Sequence, residues 1–145
     1  MAGTIVADTI QADSTSTLVL KNGVANTPPT IQDSAGTQIG TFCRAWVNFN
    51  GTTNTGGFCT IRGSFNVTSV ADNGTGDYTV NFTNAMPDAN YSAVCNCTSN
   101  TGANAAIVAN PLSTATMLTS SVRVFVLLSS TGGFDRDIVT VSVFR

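Results

Sequence analysis

Short runs of β-branched and aromatic residues, separated at regular intervals by glycine, asparagine and aspartate, constrain the fold of this chain more than any other feature. No segment carries the 3.6-residue period of an amphipathic helix, whereas apolar and polar residues alternate within several of the runs. Alternation with period two is typical of strands, and closely spaced turns are typical of two-layer β folds. The sequence therefore predicts an all-β protein, an antiparallel β-sandwich or a jelly-roll-like domain.

The predicted strands divide near Gly40 into a weak group and a strong group. Residues 1–40 contain weak strands at 4–7 and 17–20 and too few large apolar residues for a core. We therefore predict an extended N-terminal β arm that is stable only when added to the main domain, a neighbouring subunit or a capsid lattice. Residues 41–145 form the predicted β-sandwich domain. Its strands are expected at residues 42–49, 59–70, 78–82, 91–98, 105–109, 115–118, 122–128 and 138–144.

Three connections between these runs have recognisable turn chemistry. Residues 33–37 (DSAGT) are expected to form a turn within the arm. Residues 50–57 (NGTTNTGG) combine small, polar and glycine residues, which predicts a flexible loop. Asn73-Gly74 is a strong hairpin signal, because both residues tolerate positive φ angles, and it is expected at the centre of a hairpin.

The residue types argue against catalysis. The chain has no histidine, and all eight of its acidic residues are aspartates. General acid–base catalysis near neutral pH usually recruits histidine, glutamate or lysine, and a serine or cysteine nucleophile needs a neighbouring base. A pair of aspartates could still perform acid–base chemistry. The prediction is a non-enzymatic protein with no cofactor.

Charge and hydropathy also bear on partners. The net charge of −2 offers no basic patch that could follow phosphates, so no nucleic-acid partner is predicted. The N-terminus lacks the positive and apolar regions of a signal peptide, and the apolar run at 122–128 is too short to span a bilayer. No membrane partner is predicted. Charged residues make up 10% of the chain, which suits a protein held within a large assembly.

The four cysteines and one aspartate-rich turn could suggest bridges or metals. Cys95 and Cys97 share one face of a predicted strand, which does not provide the four ligands of a zinc site. Cys43 and Cys59 would lie at far ends of a hairpin, so reduced, buried cysteines are predicted. Residues 72–77 (DNGTGD) could offer oxygen ligands to calcium, but a hairpin turn explains the same residues. No metal site is predicted.

One strand is apolar on both faces. Val122, Val124, Val126 and Leu128 line one face of the run at 122–128, while Phe125 and Leu127 line the other. A domain of this size buries one face in its own core, so a second apolar face predicts contact with another subunit. We take Trp46, Phe125 and Leu127 as the candidate subunit interface.

Several segments resemble structural, tail-fibre-like proteins of marine cyanophages and related tailed bacteriophages. The resemblance begins upstream with residues 20–23 (LKNG) and 28–37 (PPTIQDSAGT) and centres on residues 43–52 (CRAWVNFNGT). It continues through residues 61–67, 72–82 (DNGTGDYTVNF) and 85–91 (AMPDANY), so that it covers roughly residues 17–92. The resemblance implies a β-rich, commonly trimeric virion protein with no catalytic residues to carry over. It also implies that Trp46, Arg44 and residues 50–57 belong to a recurring core, where Trp46 is expected to pack.

Two virion roles are open. A compact β domain with a short arm and no long shaft suits a trimeric capsid decoration (cement) protein, made in the cytoplasm of the bacterial host and bound to the major capsid protein. Candidate capsid contacts are Thr4, Ile5, Val6, Leu18, Leu20 and Ile31. The alternative is a short tail-fibre or adaptor protein that contacts other virion proteins or a host surface glycan. Its candidate exposed loop residues are Asn50, Thr53, Asn54, Asn100 and Asn104.

A carbohydrate-binding module is a further rival. Such a module presents aromatic residues on loops, whereas Trp46 and most phenylalanines of this chain lie inside predicted strands.

Overall fold

The computed structural model describes residues 30–98, 107–111, 113, 116–128 and 132–145, and these residues contain strands and turns but no α-helix. The prediction of an all-β chain is confirmed. The described residues form eleven strands, which are β1 Ile31–Gln32, β2 Gln38–Gly40, β3 Cys43–Thr55, β4 Phe58–Phe65, β5 Val67–Gly74, β6 Asp77–Phe82, β7 Ser92–Cys97, β8 Ile107–Pro111, β9 Ser121–Leu128, β10 Gly132–Gly133 and β11 Val139–Phe144.

The first two strands form a small hairpin of their own. The predicted turn at residues 33–37 is confirmed, because Asp33 Oδ1 accepts hydrogen bonds from the N–H groups of Ala35 and Thr37, both at 2.9 Å. Gly36 has a φ of 82°, which a glycine adopts without steric cost. The side chains from Ile31 to Ile39 are exposed. This part of the predicted arm therefore adds little to the core.

The other nine strands form one antiparallel sheet that curls on itself. Its order is β10-β9-β6-β5-β4-β3-β11-β7, and β8 also pairs with β9. Strands β7 and β8, at the two ends of the curled sheet, lie in contact with each other. The last strand, β11, lies between β3 and β7 rather than at an edge. The antiparallel arrangement is confirmed, while a sandwich or jelly-roll description stays a prediction.

The core lies inside the curl, on the face where alternate residues of each strand meet. Tyr78, Val80 and Phe82 of β6 share that face, as the alternation predicted. Rings from strands that are not neighbours in the sheet meet across the interior, with 5.1 Å between the centroids of Phe49 and Tyr78. The other core side chains are Ala45, Val47, Cys59, Val67, Val70, Met86, Tyr91, Val122, Val124, Val126, Val139, Val141 and Val143. Burial of this many apolar groups is the main stabilising term of the fold.

The predicted loop at residues 50–57 is wrong. Strand β3 continues to Thr55, and the turn is confined to Gly56 and Gly57, with φ angles of 62° and 86°. The pairing register shifts between Asn50 and Thr55, which marks an irregularity in the strand. The Asn50 side chain accepts the backbone N–H of Thr52 at 3.0 Å, so local hydrogen bonds hold this stretch.

Three further predictions about the strands need correction. The strand expected at 59–70 is broken at Asn66, whose φ of 56° turns the chain between β4 and β5. The Asn66 amide supports this corner by donating to the Arg44 and Asn84 carbonyls at 3.0 and 3.1 Å. The β5–β6 hairpin exists, but residues 75 and 76 form its turn rather than Asn73-Gly74. The strand expected at 115–118 is reduced, in its described residues, to one bridge between Met117 and Val122.

Candidate functional site

A row of one serine and three apolar side chains crosses the outer surface of four neighbouring strands. The pairing register sets Trp46 of β3 opposite Phe65 of β4 and opposite Ser142 of β11, and sets Ser142 opposite Val94 of β7. Side chains directly opposite each other on a sheet lie about 5 Å apart, so these four form a continuous line. Phe65 is 55% exposed, Trp46 41% and Val94 57%. We call Phe65, Trp46, Ser142 and Val94 the outer row.

Strand alternation explains why Trp46 faces outward. Its neighbours Ala45 and Val47 are buried, so the period of two turns the indole to the opposite face. The indole packs over Gly63, where an added Cβ would lie 3.5 Å from two ring carbons. Trp46 therefore packs on the outside of the sheet and not in the core. A lone tryptophan in a strand is more often buried than exposed. The placement of Trp46 in a subunit interface stays a prediction.

On the side of the outer row that faces away from Arg44, the neighbouring residues are polar but uncharged. The next rung of paired positions across the same four strands consists of Gly63, Asn48, Thr140 and Asn96. Asn48 Oδ1 is buried and has no hydrogen-bond partner among the described residues. An apolar centre beside amides and hydroxyls matches the composition of protein–protein interfaces, which are depleted of charge at their core. This surface has the composition of one that can bind another protein surface.

The structure separates the three residues predicted to form the subunit interface. Trp46 lies in the outer row, whereas Phe125 and Leu127 lie on β9, and β4, β5 and β6 come between β9 and β3 in the sheet. Leu127 is 38% exposed, and Phe125 is half-buried against Gly133. The sequence analysis missed Phe65 and Val94. Their outward orientation was readable from alternation, but their alignment with Trp46 depends on the pairing register.

The predicted loop and capsid contacts are only partly described. Asn54 is exposed beside the β3–β4 turn and donates from Nδ2 to Asp72 at 2.9 Å, whereas Asn50 and Thr53 are half-buried in β3. Ile31 is 43% exposed in the first hairpin. The other predicted contact and loop residues lie outside the described residues: Thr4, Ile5, Val6, Leu18, Leu20, Asn100 and Asn104.

The carboxylates that could have held calcium are engaged with protein groups. Asp72 accepts hydrogen bonds from the Gly74 N–H as well as from Asn54. Asp77 accepts from Arg123 Nε at 2.7 Å, and this hydrogen bond holds the pKa of Asp77 below its usual value. Among the described residues, no group of three or more cysteine or aspartate side chains is placed to hold a metal ion.

A hydrogen-bond junction closes one end of the core. The Tyr78 hydroxyl lies 3.0 Å from the Gly51 carbonyl and 2.8 Å from Asp135 Oδ1, and the Gly76 N–H donates to the same Oδ1 at 2.7 Å. Burial is the main cause that raises the pKa of Tyr78, and the hydrogen bond to Asp135 adds to it. A tyrosine that stays protonated near neutral pH is suited to fixing Asp135 and the adjoining chain in place.

Cys43 and Cys59 lie at opposite ends of the β3–β4 pair, and all four thiols are free.

Burial raises the pKa of Cys59 and of Cys95 to about 12. Each unit by which a thiol pKa is raised lowers the fraction of reactive thiolate about tenfold. We therefore expect the Cys59 and Cys95 thiols to react with iodoacetamide at pH 8 at least ~100-fold more slowly in the native protein than in denaturant. Site-resolved mass spectrometry measures both rates. Rapid labelling of Cys59 in the native protein would contradict its burial.

No helix in the described part of the chain is long and apolar enough to cross a membrane. No protein-family model matches the chain, and neither the curated proteins nor the solved structures contain a match.

Proposed function

We propose that this chain is a non-enzymatic structural protein of a bacteriophage virion, and that it acts as a trimeric capsid decoration protein. The observation that carries the proposal is the outer row, in which Trp46, Phe65 and Val94 expose apolar surface on β3, β4 and β7. The curled sheet already buries its inner face in its own core, so the row is available to a second protein. The resemblance of residues 17–92 to phage structural proteins gives the virion as the setting.

In this proposal the outer rows of three subunits pack around a common axis. The row lies on strands rather than on loops, and rigid elements hold an interface in a fixed geometry. The polar rung at Asn48, Thr140 and Asn96 would then lie beside the apolar contact. In this arrangement each subunit is a sandwich-like or jelly-roll-like unit of the trimer.

The arm supplies the second contact of the proposal. The described hairpin exposes Ile31 and Ile39, at 43% and 65%, and residues 1–29 precede it. We propose that residues 1–40 attach each subunit to the assembled shell. A protein that binds only the assembled shell stabilises that shell by mass action, without any catalytic step.

Co-sedimentation with undecorated phage capsids tests the function. We expect saturable binding of a trimer and a higher disruption temperature of the decorated shells. A variant lacking residues 1–40 should remain trimeric and lose shell binding, which separates the role of the arm from that of the outer row. Absence of binding by the intact protein would refute the decoration role.

A tail-fibre or adaptor role is the second candidate, and the exposed indole of Trp46 favours it. Sugars stack on aromatic faces, and the outward position of Trp46 could provide such a face for a host surface glycan. Isothermal titration calorimetry against host lipopolysaccharide distinguishes the two roles. Saturable heat that is lost in Trp46→Ala, together with no capsid binding, would favour the tail role.

A further inference from the structure

Asn-Gly pairs occur in this chain in very different surroundings. There are three of them, Asn22-Gly23, Asn50-Gly51 and Asn73-Gly74, and the first lies outside the described residues. An asparagine that precedes glycine is prone to deamidation, because glycine has no side chain to hinder attack by its backbone nitrogen. In a folded chain, the contacts of that nitrogen decide whether the attack occurs.

Deamidation converts the asparagine side chain into a carboxylate without an enzyme. The backbone nitrogen of the next residue loses its proton and bonds to the side-chain Cγ, and the side-chain nitrogen leaves as ammonia. Water then opens the resulting succinimide ring at either carbonyl, which gives aspartate or isoaspartate. The attacking nitrogen must therefore be able to give up its proton and to approach the side chain.

The Asn50-Gly51 pair is held on all sides. The Gly51 N–H donates to the Arg136 carbonyl at 2.8 Å, and Gly51 is buried. A Cβ added to Gly51 would lie 2.5 Å from the Tyr78 hydroxyl oxygen, so there is no room for movement. The Asn50 Oδ1 accepts from the N–H and the hydroxyl of Thr52, at 3.0 and 2.8 Å. Attack by the Gly51 nitrogen requires this part of the core to open.

The Asn73-Gly74 pair lies at an exposed irregularity of the β5–β6 hairpin. The pairing register shifts between Asp72 and Gly74, which leaves Asn73 without a paired residue in β6. Both Asn73 and Gly74 are exposed, and a Cβ added to Gly74 would meet no atom within 4 Å. The backbone can therefore move here without opening the core.

The Gly74 N–H has a side-chain acceptor. It donates to Asp72 Oδ1 at 2.9 Å, whereas the Gly51 N–H donates to a backbone carbonyl. A carboxylate can take up a proton, and a backbone carbonyl is a far weaker base. Asp72 is thus placed at the nitrogen that must lose its proton.

The described hydrogen bonds of the Asn73 side chain also go to other side chains. Its Nδ2 donates to Thr79 Oγ1 at 2.8 Å and to Asp77 Oδ1 at 3.3 Å. A carboxylate at position 73 has no proton to donate, and it adds a negative charge near Asp77. Deamidation would therefore weaken this end of the hairpin.

We propose that Asn73 is a site of spontaneous deamidation through a succinimide, and that the fold protects Asn50 from the same reaction. The Gly74 nitrogen attacks Cγ of Asn73, and Asp72 takes up the proton that this nitrogen loses. The proton then leaves with Nδ2 as ammonia, and water opens the ring. This inference does not depend on the proposed function.

Site-resolved mass spectrometry of the full-length protein at pH 8 measures the reaction at each asparagine. Native protein is compared with protein in guanidinium chloride, and fragmentation distinguishes isoaspartate from aspartate. In the native protein we expect Asn50 to react at least about tenfold more slowly than Asn73, because only Asn50 needs local opening of the core. In denaturant we expect similar rates, because both residues precede glycine.

Two substitutions complete the test. Asp72→Asn keeps an acceptor beside Gly74 but removes the base, so we expect the rate at Asn73 to fall at least about tenfold. Asn73→Gln would require a larger ring and should abolish the signal at position 73. Asn50 in the same samples is the internal control.

The proposal is overturned if native Asn73 reacts no faster than Asn50. Formation of aspartate without isoaspartate would refute the succinimide, and an unchanged rate in Asp72→Asn would refute proton transfer to Asp72. Because the measurement uses no capsid, its result is independent of the decoration experiment.

Discussion

Replacement of Gly76 with alanine should lower the free energy of unfolding by about 3 to 5 kcal/mol. Gly76 is buried with a φ of 71°, where a side chain costs strain in any surroundings. An added Cβ would also collide with the backbone N of Phe134 and the backbone O of Val126. These atoms are hydrogen-bonded to each other and cannot move aside cheaply. Urea unfolding followed by far-UV circular dichroism measures the loss.

Gly56→Ala is the matched control for this substitution. Gly56 has a φ of 62°, close to that of Gly76, but an added Cβ would meet no atom within 4 Å. Its replacement should cost only the backbone strain, about 1 to 2 kcal/mol. Equal stabilities of the two variants would show that residues 75–76 do not pack against residues 133–134 and β9 as closely as the structure indicates.

Trp46→Ala should weaken the association of the proposed trimer by about 30- to 1000-fold, the usual range for a central aromatic anchor of an interface. The same substitution should change the stability of the isolated subunit by about 1 kcal/mol or less, because Trp46 is 41% exposed and lies outside the core. Sedimentation equilibrium at several protein concentrations measures association, and urea unfolding measures stability. Phe65→Ala, in the directly opposite position, should act in the same direction.

Leu118→Ala provides the control for loss of exposed apolar surface. Leu118 is 50% exposed, and it lies outside the outer row. We expect the Leu118 variant to keep the association constant of the unaltered protein. If Trp46→Ala and Leu118→Ala leave association equally unchanged, the outer row is not the subunit interface. If the protein binds capsids while it remains monomeric, the proposal of a trimer is wrong and the proposal of capsid decoration is retained.

Sequence patterns predicted the faces of the strands better than their ends. Period-two alternation identifies the inward residues of β6 and β9 because burial on one face requires it. The strand ends were predicted wrongly at Asn50, where the strand continues, and at Asn66, where the chain turns. At both positions the side-chain amide forms hydrogen bonds with the backbone that hydropathy does not reveal. Asparagine occurs in strands, in bulges and at corners, so an asparagine in the sequence does not show which of these structures forms.

The candidate sites were less accessible to sequence reasoning than the fold. The outer row exists because residues 46, 65 and 94, which are distant in sequence, become adjacent through strand register. Nothing local in the sequence fixes that register. Contacts between separate strands therefore created the outer row.

The position of β11 has a consequence for the way the chain is made. This strand pairs with both β3 and β7, and Thr41 Oγ1 donates to the Arg145 carbonyl across a separation of 104 positions. Contacts this distant in sequence form late, so folding on the order of milliseconds to seconds is expected. During synthesis, β3 and β7 expose unpaired edges until β11 leaves the ribosome. Aggregation is therefore most favoured during synthesis, when nascent chains are crowded. In the folded protein these edges of β3 and β7 are both paired with β11.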